Sequence, residues 1–359
     1  MAASGGWIAA ALAAVAVQVT QSARMAAAVA FTVFFTAYLV RGVSDLGGPG
    51  LAWLGWLVPN GWFLRARAFG GEQWWVFLPV VAFVAALVGM AYALSARRDV
   101  GTGLLPPRLG SAHASKDLHG LIGLAWRTHR GMALARIAGA AFIGAGIGLG
   151  GQSAVKMFGR SGALDFWAAR TGADDPAAIF FELVVYELAV YSVSLHAIMT
   201  VLRLRGEEAT ELLLSGPVSR TRWAVSHLLF AVAVPALVLL VAGLALSLGN
   251  GDLAGNLSRT MIILPGIWVM AGIALAAFGL FLRAGAVVGW TALALAVAWE
   301  VGWEVGLVSD ALFMISPFAH VHYSTLADPG VGTLAGLTVV AAGLVAVGLY
   351  GLRRRDLAL

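Results

Sequence analysis

The chain has no cysteine, which excludes disulfides, thiolate catalysis and cysteine-ligated metals. It has little charge: Asp, Glu, Lys and Arg are 11% of 359 residues, against about a quarter in an average soluble domain. Lysine is almost missing. Lys116 precedes Asp117 and Lys156 precedes Met157, so neither completes a phosphate-binding P-loop, which needs a lysine before Ser or Thr. HExxH and Gly-x-Ser-x-Gly are absent, and no catalytic residue is expected. The N-terminus lacks the basic leading region of a cleavable signal. What remains is apolar, with 60% hydrophobic residues and a mean hydropathy of +0.87. A soluble protein of this size needs a polar shell that this composition does not supply. The expected fold is an all-α polytopic membrane protein.

Nine apolar runs have span-like length: about 6–19, 25–40, 74–95, 132–150, 180–201, 225–248, 261–282, 286–306 and 331–350. The polar gaps orient them. Arg97, Arg98, Arg108, Lys116, Arg127 and Arg130 lie in one gap, and Arg203, Arg205, Arg220 and Arg222 in another. Arg353, Arg354 and Arg355 follow the last run. With nine spans these regions, together with the turns at Arg24 and Arg283, share one side, and the positive-inside rule makes that side cytoplasmic. The net charge of +5 therefore points to a membrane, not to nucleic acid. The expected location is a bacterial plasma membrane, with the C-terminus cytoplasmic and the N-terminus outside.

Landmarks recur at nearly one offset. Arg97-Arg98-Asp99 follows one apolar run and Arg354-Arg355-Asp356 follows the last. Trp56-Leu57-Val58-Pro59 aligns with Met314-Ile315-Ser316-Pro317, and Arg24 with Arg283. Both copies run in the same direction, as in a parallel repeat about the membrane normal. The expected organisation is an incomplete first half (1–104, three spans) and a complete second half (105–359). The second half has six spans, a coupling segment at 202–223 and an amphipathic elbow helix within 115–130. The shortfall of the first half implies a missing permease half or a second copy of this chain as partner.

Segment 202–223 joins two spans on the arginine-rich side. Arg203, Glu207 and Glu211 are four apart and share one helix face. Leu212 to Leu214 follow, and Gly216-Pro217 breaks the helix. A short helix with a charged head and a leucine tail suits docking to a soluble partner, and equally suits a connector on the lipid surface. Arg203-Leu204-Arg205-Gly206-Glu207-Glu208, then Glu211-Leu212-Leu213-Leu214, then Pro217-Val218-Ser219-Arg220 resembles the first intracellular loop of ABC-2-type exporter permeases. The nearest group is the actinobacterial "exporter of polyketide antibiotics" permeases. Arg97 to Pro106 and Gly123 to Arg127 are similar to that group's midpoint signature. The usual Gly-Arg after the acidic pair is Ala209-Thr210 here. The resemblance implies a permease of hydrophobic or amphipathic drug-like small molecules, driven by a separate ATPase subunit, expected as a homodimer. ATP and Mg would bind on that partner, with no cofactor on this chain. It also implies that Arg203, Arg205, Glu207, Glu208, Glu211, Pro217 and Arg220 couple ATP hydrolysis to the membrane.

Charges within spans are costly and mark function or pairing. Glu300 and Glu304 share one face beside Trp299 and Trp303; Glu182 and Glu187 open another span with Tyr186 near and His196 deeper. These residues are candidates for a substrate path, as an acidic, aromatic cavity suits a cationic amphiphile. Alternatively, the carboxylates simply reach the wet interface. Glu187, Glu300 and Glu304 are also the candidate proton carriers of the competing function, an ion-coupled secondary transporter. His320 and His322 read as part of a polar loop beside Tyr323, and no metal site is expected.

Overall fold

The computed structural model describes residues 2–46, 48–66, 71–97, 104, 113, 120–158, 169, 176–205, 216–281, 284–321 and 329–354. Among the described residues every regular element is helical. The long helices are α1 (Ala2–Val19), α2 (Ala23–Leu46), α3 (Phe77–Ser95), α4 (Leu121–Phe158), α5 (Pro176–Leu202) and α6 (Arg220–Asn250). They continue with α7 (Leu253–Met261), α8 (Leu264–Leu280), α9 (Gly285–Glu304) and α10 (Val331–Arg354). Seven stretches are long and apolar enough to cross a membrane: Met25–Asp45, Trp74–Ser95, Leu121–Gly150, Arg220–Gly249, Leu253–Leu280, Gly285–Glu304 and Val331–Arg354. The other two expected spans fall on shorter apolar stretches, Gly5–Val19 and Val190–Leu202.

The expected elbow takes a different form. Residues 121–130 are the first turns of α4 itself, continuous with its span; 115–119 lie outside the described residues. Gly131 is tolerated within α4 because a lone glycine costs a helix only about 1 kcal/mol, unlike a proline. At about 1.5 Å per residue, a 38-residue helix is far longer than the ~30 Å hydrocarbon core, so α4 has length to spare outside it.

The chain divides into two compact units, Met1–His113 and Ala114–Leu359, against the expected boundary at 104/105. In the first unit α1 packs on both α2 and α3. After α2 the chain turns through short helical pieces between Gly48 and Ala66. Ser44 Oγ accepts from Gly55 N (3.0 Å) and Arg65 donates to Ala52 O (3.1 Å), while Arg41 bridges Asp45 and the Asn60 carbonyl.

In the second unit α8 is central. It carries no charge, it is buried along nearly its whole length, and α5, α6, α9 and α10 surround it. In lipid, helices gain nothing by hiding apolar surface from each other, so close backbone approach through small residues holds them together. Two glycine crossings do so here. A Cβ at Gly279 of α8 would strike the Gly348 carbonyl of α10, and one at Gly249 of α6 would strike the Gly148 carbonyl of α4. α6 begins at Ser219, whose Oγ accepts from Arg222 N (3.3 Å), and ends on Gly251 at φ 71°, the left-handed conformation that favours glycine.

Candidate functional site

Two polar clusters lie inside the second unit, one facing the middle of α5 and the other running from there to its C-terminal end. The first brings α5 against α9 and the segment that follows it. Tyr191 donates to Glu300 Oε2 at 2.5 Å, and Tyr186 donates to the Phe318 carbonyl at 3.0 Å. Glu300 and Glu304 are 0% and 4% exposed. The chain after α9 folds back through Asp310–Phe313 and Ala319–Val321, burying Phe313 and Phe318. Trp303 donates to Asp310 Oδ1 (2.8 Å) and stacks on Phe313 at 4.9 Å; Trp299 is half-buried. The two glutamates are therefore within the packing rather than at a wet rim. Their four-residue spacing puts both on the buried face of α9. Glu182 and Glu187 lie on α5, with side chains outside the described residues.

The second cluster is at the end carrying Arg203 and Arg220. Arg203 donates to the Thr128 carbonyl (3.0 Å) and Arg136 to the Ser192 carbonyl (3.0 Å). His129 Nε2 and His227 Nδ1 are 2.8 Å apart, a hydrogen bond between α4 and α6. His129 stacks on Phe230 (5.4 Å), and Trp223 meets His227 edge-on (5.4 Å). His129 and His196 are fully buried, and His227 is 2% exposed. Both ring nitrogens of His196 lack a hydrogen-bond partner among the described residues. Helical geometry explains why His196 sits here rather than beside Tyr191: five residues turn the chain about 140°, carrying it off the Tyr191 face and toward Arg136 and Arg203, whose charges act on it.

Sequence reasoning placed His196 with the acidic set and missed His129, His227 and Arg136. His129 and His227 are 98 residues apart, and no local spacing announces such a pair; the one available signal was histidine at the edge of an apolar run. Of the expected coupling residues, Pro217 is exposed in the turn before α6 and Arg220 opens that helix. Glu207, Glu208, Glu211 and the Arg205 side chain lie outside the described residues, as do His322 and Tyr323. Between the first turns of α4 and α6 runs an apolar groove of ≈ 510 Å³, lined by Leu121, Ile122, Val225 and Leu229 with Thr221 and Arg222 at its edge.

An all-helical bundle with buried polar clusters and seven span-length apolar stretches defines a polytopic membrane protein. Residues 118–353 match the family described as "Multidrug efflux system permease Rv1217c, C-terminal domain", and the chain belongs to that family. It is 36% identical over 377 aligned residues to the multidrug efflux system permease protein Rv1217c of Mycobacterium tuberculosis (strain ATCC 25618 / H37Rv). The match covers 99% of this chain and 66% of that protein, so the chain spans a little under two thirds of its relative's length. An efflux permease family agrees with the resemblance seen in the sequence to exporter permeases.

Proposed function

We propose that this chain is a membrane-spanning permease subunit of an ATP-driven exporter of the ABC-2 type, moving hydrophobic or amphipathic drug-like molecules. ATP and Mg bind on a separate ATPase, a homodimer, and the permease supplies the path and the lever. The arginine-bearing end of the bundle, with the C-terminus, faces the cytoplasm of a bacterial cell. The observation that carries this is the base of segment 202–223. Its two legs, Arg203 and the start of α6, are both fastened to α4 by hydrogen bonds, the first part-buried and the second buried, so a push on the segment would move three helices and not a loose loop. Membership of an efflux permease family supports the direction of transport.

The packing order also supports the parallel repeat. In the first unit α1 contacts α2 and α3, and in the second α8 contacts α9 and α10 in the same sequence. Short helical turns follow α2 and α9 alike.

A second reading, ion-coupled secondary transport, draws on the burial of Glu300 and its bond to Tyr191. One experiment separates the two: co-expression with a candidate ATPase, purification, and drug-stimulated ATP hydrolysis in vesicles. Co-purification with stimulated hydrolysis is expected. Uptake driven by a proton gradient without ATP would favour the second reading. Reversing Glu207 and Glu208 to lysine should stop ATP-driven transport while span topology persists; unchanged transport and ATPase association would reduce the segment to a connector.

A further inference from the structure

Segment 202–223 leaves the bundle after Leu202 and re-enters at Arg220. Its two legs are therefore the end of α5 with Arg203 and the first turns of α6. In the sequence only the segment itself joins them. In the structure α5 and α6 pack directly on each other, and α4 ties the two legs together as well. Arg203 donates to the carbonyl of Thr128. The next residue, His129, is hydrogen-bonded to His227, two turns into α6. Arg136, further along α4, donates to the Ser192 carbonyl and fastens α4 to α5 again.

We propose that the Thr128–His129 turn of α4 is a strut that locks the two legs of segment 202–223 together, so that α4 moves with the segment as one body with α5 and α6. His129 and His227 are positioning residues that touch neither substrate nor nucleotide. The part of this concerning coupling rests on the functional reading above; the strut itself does not. The histidine pair suits the task. A single N–H between the two rings makes the bond, so it forms without a charge on either ring. The His129 ring is held against Phe230 and the His227 ring against Trp223, which fixes both orientations. Buried hydrogen bonds of this kind specify one arrangement where apolar packing alone would allow several. The groups facing the pair are Arg203 and His196 from the α5 side, so the pair sits beside the Arg203 cation and gains from a bond that needs no further charge.

The absence of native cysteine makes the test direct. Arg130→Cys and Val225→Cys, both on exposed positions of α4 and α6, carry spin labels on the full chain in nanodiscs. The inter-label distance distribution should be narrow in this background and clearly broader with His129→Leu. Double substitution His129→Gln with His227→Asn should restore it, because the Gln carboxamide reaches the Nε2 position and the Asn carboxamide the Nδ1 position. His129→Asn, polar but too short, serves where leucine prevents folding and should broaden the distribution likewise. A distribution as narrow as the parent's in His129→Leu and His129→Asn overturns the strut.

The second arm uses the assembled permease and ATPase. His129→Leu should keep ATPase association and basal hydrolysis and lose most drug stimulation, with the Gln/Asn pair restoring it. Full stimulation in His129→Leu overturns the role of the strut in coupling. If the unsubstituted permease neither binds an ATPase nor responds to one, the functional reading fails, while the label distances still decide the strut.

Discussion

The two polar clusters along α5, an acidic one and a basic one, solve the problem of a polar group inside a bundle in different ways. In the first a carboxyl group, Glu300, is sunk against α5 and takes a hydrogen bond from the phenol of Tyr191. In the second, two arginines donate to main-chain carbonyls and two histidines bond to each other. The acidic cluster pairs Glu300 and Glu304 of α9, and the segment that follows, with one neighbouring helix, α5. The basic cluster draws its members from three helices far apart in sequence, two of them from α4. A contact made to one neighbour constrains only two helices. One shared among three helices makes those helices shift together. On the functional reading proposed above, the acidic cluster would serve local packing or substrate contact, and the basic cluster transmission.

The largest effect should come from breaking the close approaches that hold the second unit together, the glycine crossings. Gly279→Leu puts a side chain where the Gly348 carbonyl lies, and neither backbone can yield without parting α8 from α10. A cost of at least about 3 kcal/mol is expected for such overpacking, seen as loss of the monodisperse peak after extraction. Gly139→Leu, on α4 with open space around it, should leave the peak intact. Equal behaviour of the two variants would mean that the crossings do not hold the second unit together.

Next in size is the basic cluster alone. His129→Leu leaves His227 Nδ1 buried without its partner, a loss of ~2–3 kcal/mol. Replacing both histidines by leucine should cost less than the two single changes combined, because no orphan remains. Thermal unfolding of the four members of this cycle measures the coupling; strict additivity would show that the 2.8 Å contact contributes nothing of its own.

That the basic cluster had to be found in three dimensions marks the limit of the sequence. The helical class and the positions of the apolar stretches were legible because a membrane demands long apolar runs whatever the fold. Glu300, Glu304 and Trp303 were legible because α-helical periodicity puts residues four apart on one face. Burial of those glutamates was not, since it depends on the chain after α9 folding back so that Phe313 and Phe318 lie over that end, and no spacing predicts it. The start of the expected elbow was not legible because amphipathic character alone does not say where a helix stops; residues 121–130 run on into α4 without a break. His196 was grouped with Glu182, Glu187 and Tyr186 because one span carries them all, and the turn of the helix set it toward Arg136 and Arg203 instead.

A smaller effect is expected at the acidic cluster. Tyr191→Phe removes the donor to Glu300 and should cost ~1–2 kcal/mol, read as a lower melting temperature. The phenyl ring keeps its edge contact with Phe318, 6.4 Å between centroids, so packing survives and only the bond is lost. A change as large as that of His129→Leu would erase the contrast between a local contact and a shared one.

The smallest effect on stability belongs to Glu300→Gln, and it carries the most functional weight. Glutamine has nearly the same shape, and its carboxamide oxygen accepts the Tyr191 hydroxyl as the carboxyl oxygen does. The substitution changes what the residue can do with a proton while leaving what it touches, so stability should stay within about 1 kcal/mol. If this cluster only packs or contacts substrate, ATP-driven export persists in Glu300→Gln and in the double variant with Glu304→Gln, with altered preference among substrates at most. If Glu300 carries protons, the same variants fold normally and transport nothing. Transport assays in vesicles, with ATP and with an imposed proton gradient in separate runs, distinguish these outcomes. Complete loss under both conditions, in a protein whose melting temperature is unchanged, would make the acidic cluster the engine and the basic cluster mere scaffolding.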